Sequence, residues 1–175
     1  GKRSSPLNTI AAIDIKLRPV NTAQDILRIV PGIFIARHAG GGKAEQIFLR
    51  GFDADHGTDL AIFVDGIPVN LPNNAHGQGY ADLHWLIPEI VDHIDVTKGP
   101  YFVQYGDFAT AGAVNIITKR RPADSIASML GGSYSLQRYL TILSPPEGTL
   151  FQPYIAFETY HERGPFKDPL GYNRF

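Results

Sequence analysis

Cysteine is absent from the 175 residues, which excludes disulfides and thiolate chemistry and leaves the compartment open. Long apolar runs are absent too. No stretch approaches the ~20 residues a membrane-spanning helix requires. The N-terminus, GKRSSPLNT, has no apolar core of a secretion signal, as expected of a processed or trimmed chain. Neither absence touches membrane β-barrels, whose strands are short and only alternately apolar. No charge sign dominates. Sixteen basic and seventeen acidic residues are interspersed, for a net charge of -1, so nucleic acid is not an expected partner.

The signatures of chemistry are missing as well. HAGGGKA (38–44) is glycine-rich, but Arg37 stands where a phosphate loop needs its first Gly, and Ala44 where Ser or Thr would bind magnesium. HGQGYAD (76–82) has Gly77 and Gly79, with Asp82 in place of a third Gly, and opens no helix. DADHGTD (53–59) offers Asp53, Asp55, His56 and Asp59, but its spacing is not that of a calcium loop. It reads as a solvated turn. No Ser sits in a nucleophile elbow, and no His pair has the i, i+4 spacing of a helical metal site. An enzyme, a resident metal and a cofactor therefore have nothing to stand on.

What is present is glycine (18), proline (13) and 43% hydrophobic residues, enough for a packed core broken by many turns. NTIAAIDI (8–15) predicts a first strand. NTAQDILRIVPG (21–32) predicts a short helix capped by Asn21 or Thr22, with Asp25 in its first turn and Ile26, Leu27 and Val30 on one face. Pro31-Gly32 ends it. IFIAR (33–37) and QIFLRG (46–51) are strands, and FDADHGTD (52–59) is a polar loop. LAIFV (60–64) is apolar throughout, as in a strand buried on both faces. Asp65-Gly66 is a tight-turn pair, and Pro68 confines the next strand to a sheet edge. Residues 71–82 have no period and form a long loop. HWLIPEIVDHIDVTKG (84–99) passes from a helical turn into a strand at Val91–Thr97. YFVQYG (101–106) is a turn of helix, and Ala113–Thr118 is the next strand. We expect 60–64 and 113–117 in adjacent layers of the core.

After Lys119-Arg120-Arg121-Pro122 the pattern changes. SIASMLGGSY, LQRYLTILS and FQPYIAFETYHE are three longer strand candidates, with SPPEGT as the turn between the last two. The third puts Phe151, Pro153, Ile155 and Phe157 on one face, and Gln152, Tyr154, Glu158 and Tyr160 on the other. Each is about as long as a tilted membrane strand. Three cannot close a barrel, which needs ~8, so this stretch is expected to begin something larger.

An ordered set of motifs ties the two parts together. DILRIVPGI (25–33), IFLRG (47–51), VDGIPV (64–69), IVDHIDVTKGP (90–100), YG (105–106) and AGAVNIITK (111–119) follow in turn. In this order and spacing they closely resemble the plug domain of TonB-dependent outer-membrane receptors, over residues ~8 to 120. The segment after 120 resembles the first barrel strands of the same family. The expected fold is α+β: a plug (1–121) with a small mixed β-sheet and short helices, then about three antiparallel strands of a truncated transmembrane β-barrel (122–175).

The resemblance implies a plug that gates an active transporter for a scarce nutrient, most often a ferric siderophore or other metal chelate, in the bacterial outer membrane. Its implied partners are its own barrel, the ligand and TonB. The energy-coupling segment of the family, the TonB box, is not evident upstream of the first strand. By resemblance, the loops at 37–45 and 71–82 face the exterior and offer Arg37, His38, Lys43, Asn73, Asn74, His76, Gln78 and Tyr80 to a ligand. The loop at 51–59 is expected at the periplasmic end. Arg50 and Lys98 are implied plug–barrel contacts to acidic groups on the wall, with Lys98 unable to make the bidentate contact of the family's Arg form. The alternative is a free-standing periplasmic ligand-binding or interaction module, which has no need of the long aromatic strands after 122.

Overall fold

A short helix, α1 (Ala23–Leu27), sets the first packing contact. The Thr22 amide donates to the Asp25 carboxylate at 3.0 Å, and the Asp25 amide returns a bond to the Thr22 carbonyl at 3.0 Å, so the first turn closes on itself. Ile26, Leu27 and Val30 are buried as the apolar spacing requires. Gly32 turns the chain at positive φ into the next strand. The computed structural model describes residues 7–11, 20, 22–36, 44–49, 52–54, 59–75, 79–100, 103–148, 150, 152–163 and 170–175.

Twelve strands fall into three sheets among these residues. The largest is mixed, ordered β1 (Leu7–Ala11), β7 (Val91–Lys98), β8 (Gly112–Thr118), β5 (Leu60–Val64), β6 (Ile67–Pro68). β5 and β8 run parallel, and the other pairs are antiparallel. A three-stranded meander joins β2 (Ile33–Ala36), β3 (Gln46–Leu49) and β4 (Phe52–Ala54). Short 3-10 turns at Pro88–Ile90 and Val103–Tyr105 stand where helical turns are expected. The apolar faces of the large sheet, the meander and α1 share one core that includes Ile26, Leu49, Leu60, Ile62, Ile94 and Ile116.

The tight turn is built as its residues predict. Asp65 and Gly66 both take positive φ, the conformation that suits a two-residue hairpin. The turn is also tied sideways to β8. Asp65 accepts from the Thr118 amide at 2.8 Å and hydroxyl at 2.6 Å, and Asn115 accepts from the Gly66 amide at 3.1 Å. The lone amide inside the apolar strand 113–118 thus serves its neighbour's turn. At the other end of β8, a Cβ on Gly112 would collide with the Thr97 carbonyl oxygen, so only glycine fits.

The third sheet is an antiparallel meander of β9 (Ile126–Gly132), β10 (Leu136–Leu143), β11 (Ile155–Glu162) and β12 (Leu170–Arg174). Along β10 and β11 exposure alternates strictly over most of their length.

Four expectations need correction. The C-terminal part has four strands rather than about three. β12, read as LGYNR, is short and lacks an apolar alternation that would mark it. The third strand begins at Ile155, not Phe151, because Pro153 cannot donate to a ladder. The expected polar loop at 52–59 starts as β4, whose ladder to β3 needs only backbone groups. β5 and β8 are direct neighbours in one sheet, not strands of adjacent layers. Both lie inside that sheet, so both edges of each are paired, and the burial of successive residues 60–62 shows that β5 is covered on both faces. For the first strand, residues 12–15 lie outside the described residues.

Candidate functional site

The segment Leu86–Ile90 is where the mixed sheet meets the four-stranded sheet. Pro88 pre-sets the 3-10 turn at its first position. That turn points Ile87 into a small apolar cluster with Leu140, Ile142 and Ala156 of β10 and β11. Beside it lies a group of four charges. Both terminal nitrogens of Arg138 donate to the two oxygens of Glu89, each at 2.7 Å, the bidentate fork that carboxylate and guanidinium geometry favours. Arg138 also donates to Glu158 Oε2 at 3.0 Å. Arg174 Nη1 reaches the same oxygen at 3.5 Å and the Leu86 carbonyl at 2.7 Å. The side chains of Glu158, Arg174 and Arg138 are 0%, 1% and 8% exposed, and that of Glu89 29%. Register explains the meeting: Glu158 stands opposite Arg174 on β12 and opposite Leu140, two residues from Arg138, on β10. Lys119 holds the turn from the other side, with its amide on the Ile90 carbonyl at 2.7 Å and its ammonium on the Glu89 carbonyl at 2.6 Å.

The loop at 71–82 is fixed at both ends. Asn70 is buried. Its carbonyl accepts from the Ile62 amide at 2.6 Å, and its amide donates to the Leu60 and Gly79 carbonyls at 3.0 and 3.3 Å. Leu71 and Tyr80 form an isolated antiparallel bridge that closes the loop. At the far end, Asp82 accepts from the His84 amide at 2.9 Å and pairs with its Nδ1 at 2.6 Å. Burial pushes the Asp82 carboxyl up, but these bonds and the charges of His84 and Arg174 outweigh it and hold it below the ordinary carboxylate range.

Of the expected ligand residues, Asn73 is exposed, Asn74 half-buried and Tyr80 half-buried. The Tyr80 hydroxyl accepts from the Ala44 amide at 3.1 Å, which brings the end of the 37–45 loop against the 71–82 loop. Arg37, His38, Lys43, His76 and Gln78 lie outside the described residues, as does Arg50. Lys98 closes β7, half-buried and opposite Gly112. Sequence reasoning missed Asn70, Glu89, Arg138, Glu158 and Arg174. The available signal was that the alternation of β10 and β11 puts Arg138 and Glu158 on the same face as Leu140, Ile142 and Ala156, a charge of each sign among apolar inward positions.

Residues 2–113 match the TonB-dependent Receptor Plug Domain. The chain belongs to this family. The plug is a domain of receptors and not of enzymes. Solved receptors share both the plug and the strands after it. The ferric enterobactin receptor PfeA of Pseudomonas aeruginosa is 26% identical, with a TM-score of 0.63, over 93% of this chain and 25% of that one. The siderophore receptor PirA of the same organism is 28% identical, with a TM-score of 0.60, over 92% of this chain and 29% of that one. The ferric yersiniabactin uptake receptor FyuA of Yersinia pestis, at 23% identity and a TM-score of 0.60 over 89% of this chain, shares the fold. The chain spans about a quarter of the length of these receptors. The α+β plug and the antiparallel strands that follow it are thus the expected architecture.

Proposed function

We propose that residues 1–121 are the plug, and 122–175 the first barrel strands, of an outer-membrane active transporter for an anionic metal chelate such as a ferric siderophore. The observation that carries this reading is the hand-over at Lys119–Pro122. A family plug precedes it, and strands with an apolar outward face follow. The ligand class is supported by the relatives, which are receptors for ferric enterobactin and other siderophores. The loops at 37–45 and 71–82 meet at Tyr80 and carry cations, imidazoles and amides suited to such a ligand. In this reading TonB supplies the energy, the plug gates the lumen by a conformational change, and Arg50 and Lys98 face acidic groups of the wall. A free-standing periplasmic module is disfavoured because it would leave the apolar outer face of β9–β11 in water.

The test is uptake of a radiolabelled ferric chelate by cells carrying the complete receptor, with and without TonB. Accumulation should require both. His76→Ala should weaken chelate binding about tenfold, the loss of one good polar contact, whereas His56→Ala should leave it near normal. The reverse pattern would invert the plug's orientation in the lumen.

A further inference from the structure

An apolar cavity of about 620 Å³ lies between the β5–β6 hairpin, the stem of the 71–82 loop and the Leu86–Ile90 turn. Its floor is buried, with Val64 and Leu86 at 7% and 1% exposure. Its rim is not. Ile67, Leu71 and Trp85 are 69%, 46% and 52% exposed. The Trp85 indole is fixed there by its Nε1, which donates to the Asp82 carbonyl at 2.9 Å. Large apolar side chains left in water around one hollow mark a place that receives something apolar. The volume falls in the range of about 300–1,000 Å³ that holds a small molecule.

The charged groups of the cavity are few and of one sign. Asp65 and Asp82 line it, and among its described lining residues there is no Lys, Arg or His. Both carboxylates are fixed in place. Asp65 accepts from the amide and hydroxyl of Thr118, and Asp82 from the amide of His84 and its paired ring nitrogen. Arg174 acts on Asp82 from outside the lining, but Glu158 meets that guanidinium at 3.5 Å. Tyr80 and Trp85 add aromatic surface, and a cation over a ring face is attracted to it. An anion would meet two fixed negative charges beside apolar walls, where repulsion is less screened than in water.

We propose that this cavity is a second binding site of the plug, for a small aromatic monocation. Its flat apolar body sits on Val64, Leu86 and the Trp85 indole, and its ammonium or guanidinium head is drawn to Asp65 and Asp82. The site is opposite in sign to the candidate ligand loops, which offer cations and imidazoles to an anionic chelate. It needs the plug fold and not the transport reading.

The experiment is calorimetric titration of the complete receptor in phosphatidylcholine nanodiscs, with the titration of empty discs subtracted. Three molecules share one ring system: naphthylmethylammonium, the neutral naphthylmethanol and the anionic naphthylacetate. The cation should bind about tenfold more tightly than the alcohol, and the anion more weakly than either. Asp82→Asn and Asp65→Asn should each weaken the cation about threefold or more and leave the alcohol unchanged, which shows that the cavity is intact. Asn is compatible with the positive φ of residue 65. Leu71→Trp, at an exposed lining position, should fill the cavity and abolish binding of all three. The charge series on the unaltered receptor decides the ligand class by itself. A receptor that binds none of the three would overturn the site, because other parts of the receptor would then fill the cavity. An anion bound as tightly as the cation would overturn the ligand class, and unchanged cation binding in Leu71→Trp would overturn the location.

Discussion

The mixed sheet and the four-stranded sheet use the same backbone geometry with opposite chemistry on their faces. In β5, Leu60, Ala61, Ile62 and Val64 are all buried. On one face of β9–β11 the large apolar side chains Met129, Tyr139, Leu143, Ile155 and Phe157 are exposed, while the other face buries Arg138 and Glu158 beside Leu140, Ile142 and Ala156. A water-soluble sheet cannot pay for that inversion, since exposed apolar area and buried charge are both unfavourable in water. In the proposed barrel, lipid outside and a filled polar lumen inside would make both favourable. The difference teaches that burial alone does not define a core here: the plug is an ordinary core, and the barrel strands borrow theirs from the plug at Ile87.

The sharpest way to break the comparison is a charge in each sheet. Ile62 is fully buried between β8 and the chain that follows β6. Ile62→Asp places a carboxylate there with no partner, which should cost several kcal/mol and abolish a cooperative plug transition. Thermal unfolding of this chain followed by tryptophan fluorescence in detergent checks it, since Trp85 is its sole tryptophan and directly precedes the segment Leu86–Ile90. A melting temperature within a few degrees of the parent's would mean that β5 is not central. Met129→Lys on the outward face should act quite differently. It should not move the plug's transition, yet it should lower the stability of the bilayer-inserted receptor by up to about 2–4 kcal/mol, depending on depth. If it destabilised the plug instead, β9 would face inward.

How much of this was legible depends on whether a residue's role was local. The capped turn at Thr22–Asp25, the Asp65-Gly66 hairpin, the edge position of Pro68 and the buried run 60–64 are set by nearest neighbours, and the sequence shows them. Asn115 was legible as an amide inside an apolar strand, and its partner Gly66 lies across the sheet. The parallel pairing of β5 with β8 joins residues about fifty positions apart and has no local mark. β4 has only three residues, two of them in a stretch whose charges read as loop. The charged contacts between the two sheets were invisible for the same reason on a larger scale. Glu89, Arg138, Glu158 and Arg174 are spread over four elements, and only the register of β10–β12 against the 3-10 turn brings them together. The site residues taken from family resemblance, Arg50 and the loops, stand on positions that local physics does not distinguish from an ordinary loop.

The smallest effect concerns pH and sits between the two regions. Asp82 ends the loop and, through His84, leads into the segment Leu86–Ile90, with the charge of Arg174 on β12 acting on it. Its carboxyl is held below the ordinary range in the folded state. A group depressed in this way contributes stability above its unfolded value, roughly pH 4, and loses it as pH falls through the folded value. The contribution should therefore be complete at pH 7 and absent only in the acid range below that of a free carboxylate. Asp82→Asn should lower the urea midpoint at pH 7 and lower it less at about pH 3, below the ordinary carboxylate value, where the contribution of the charge has begun to fall. The exposure of Asp82 keeps the difference modest, because solvent screens a half-exposed pair. A variant that lost equal stability at both pH values would show that the Asp82 side chain acts through its shape and its bond to the His84 amide, not through its charge.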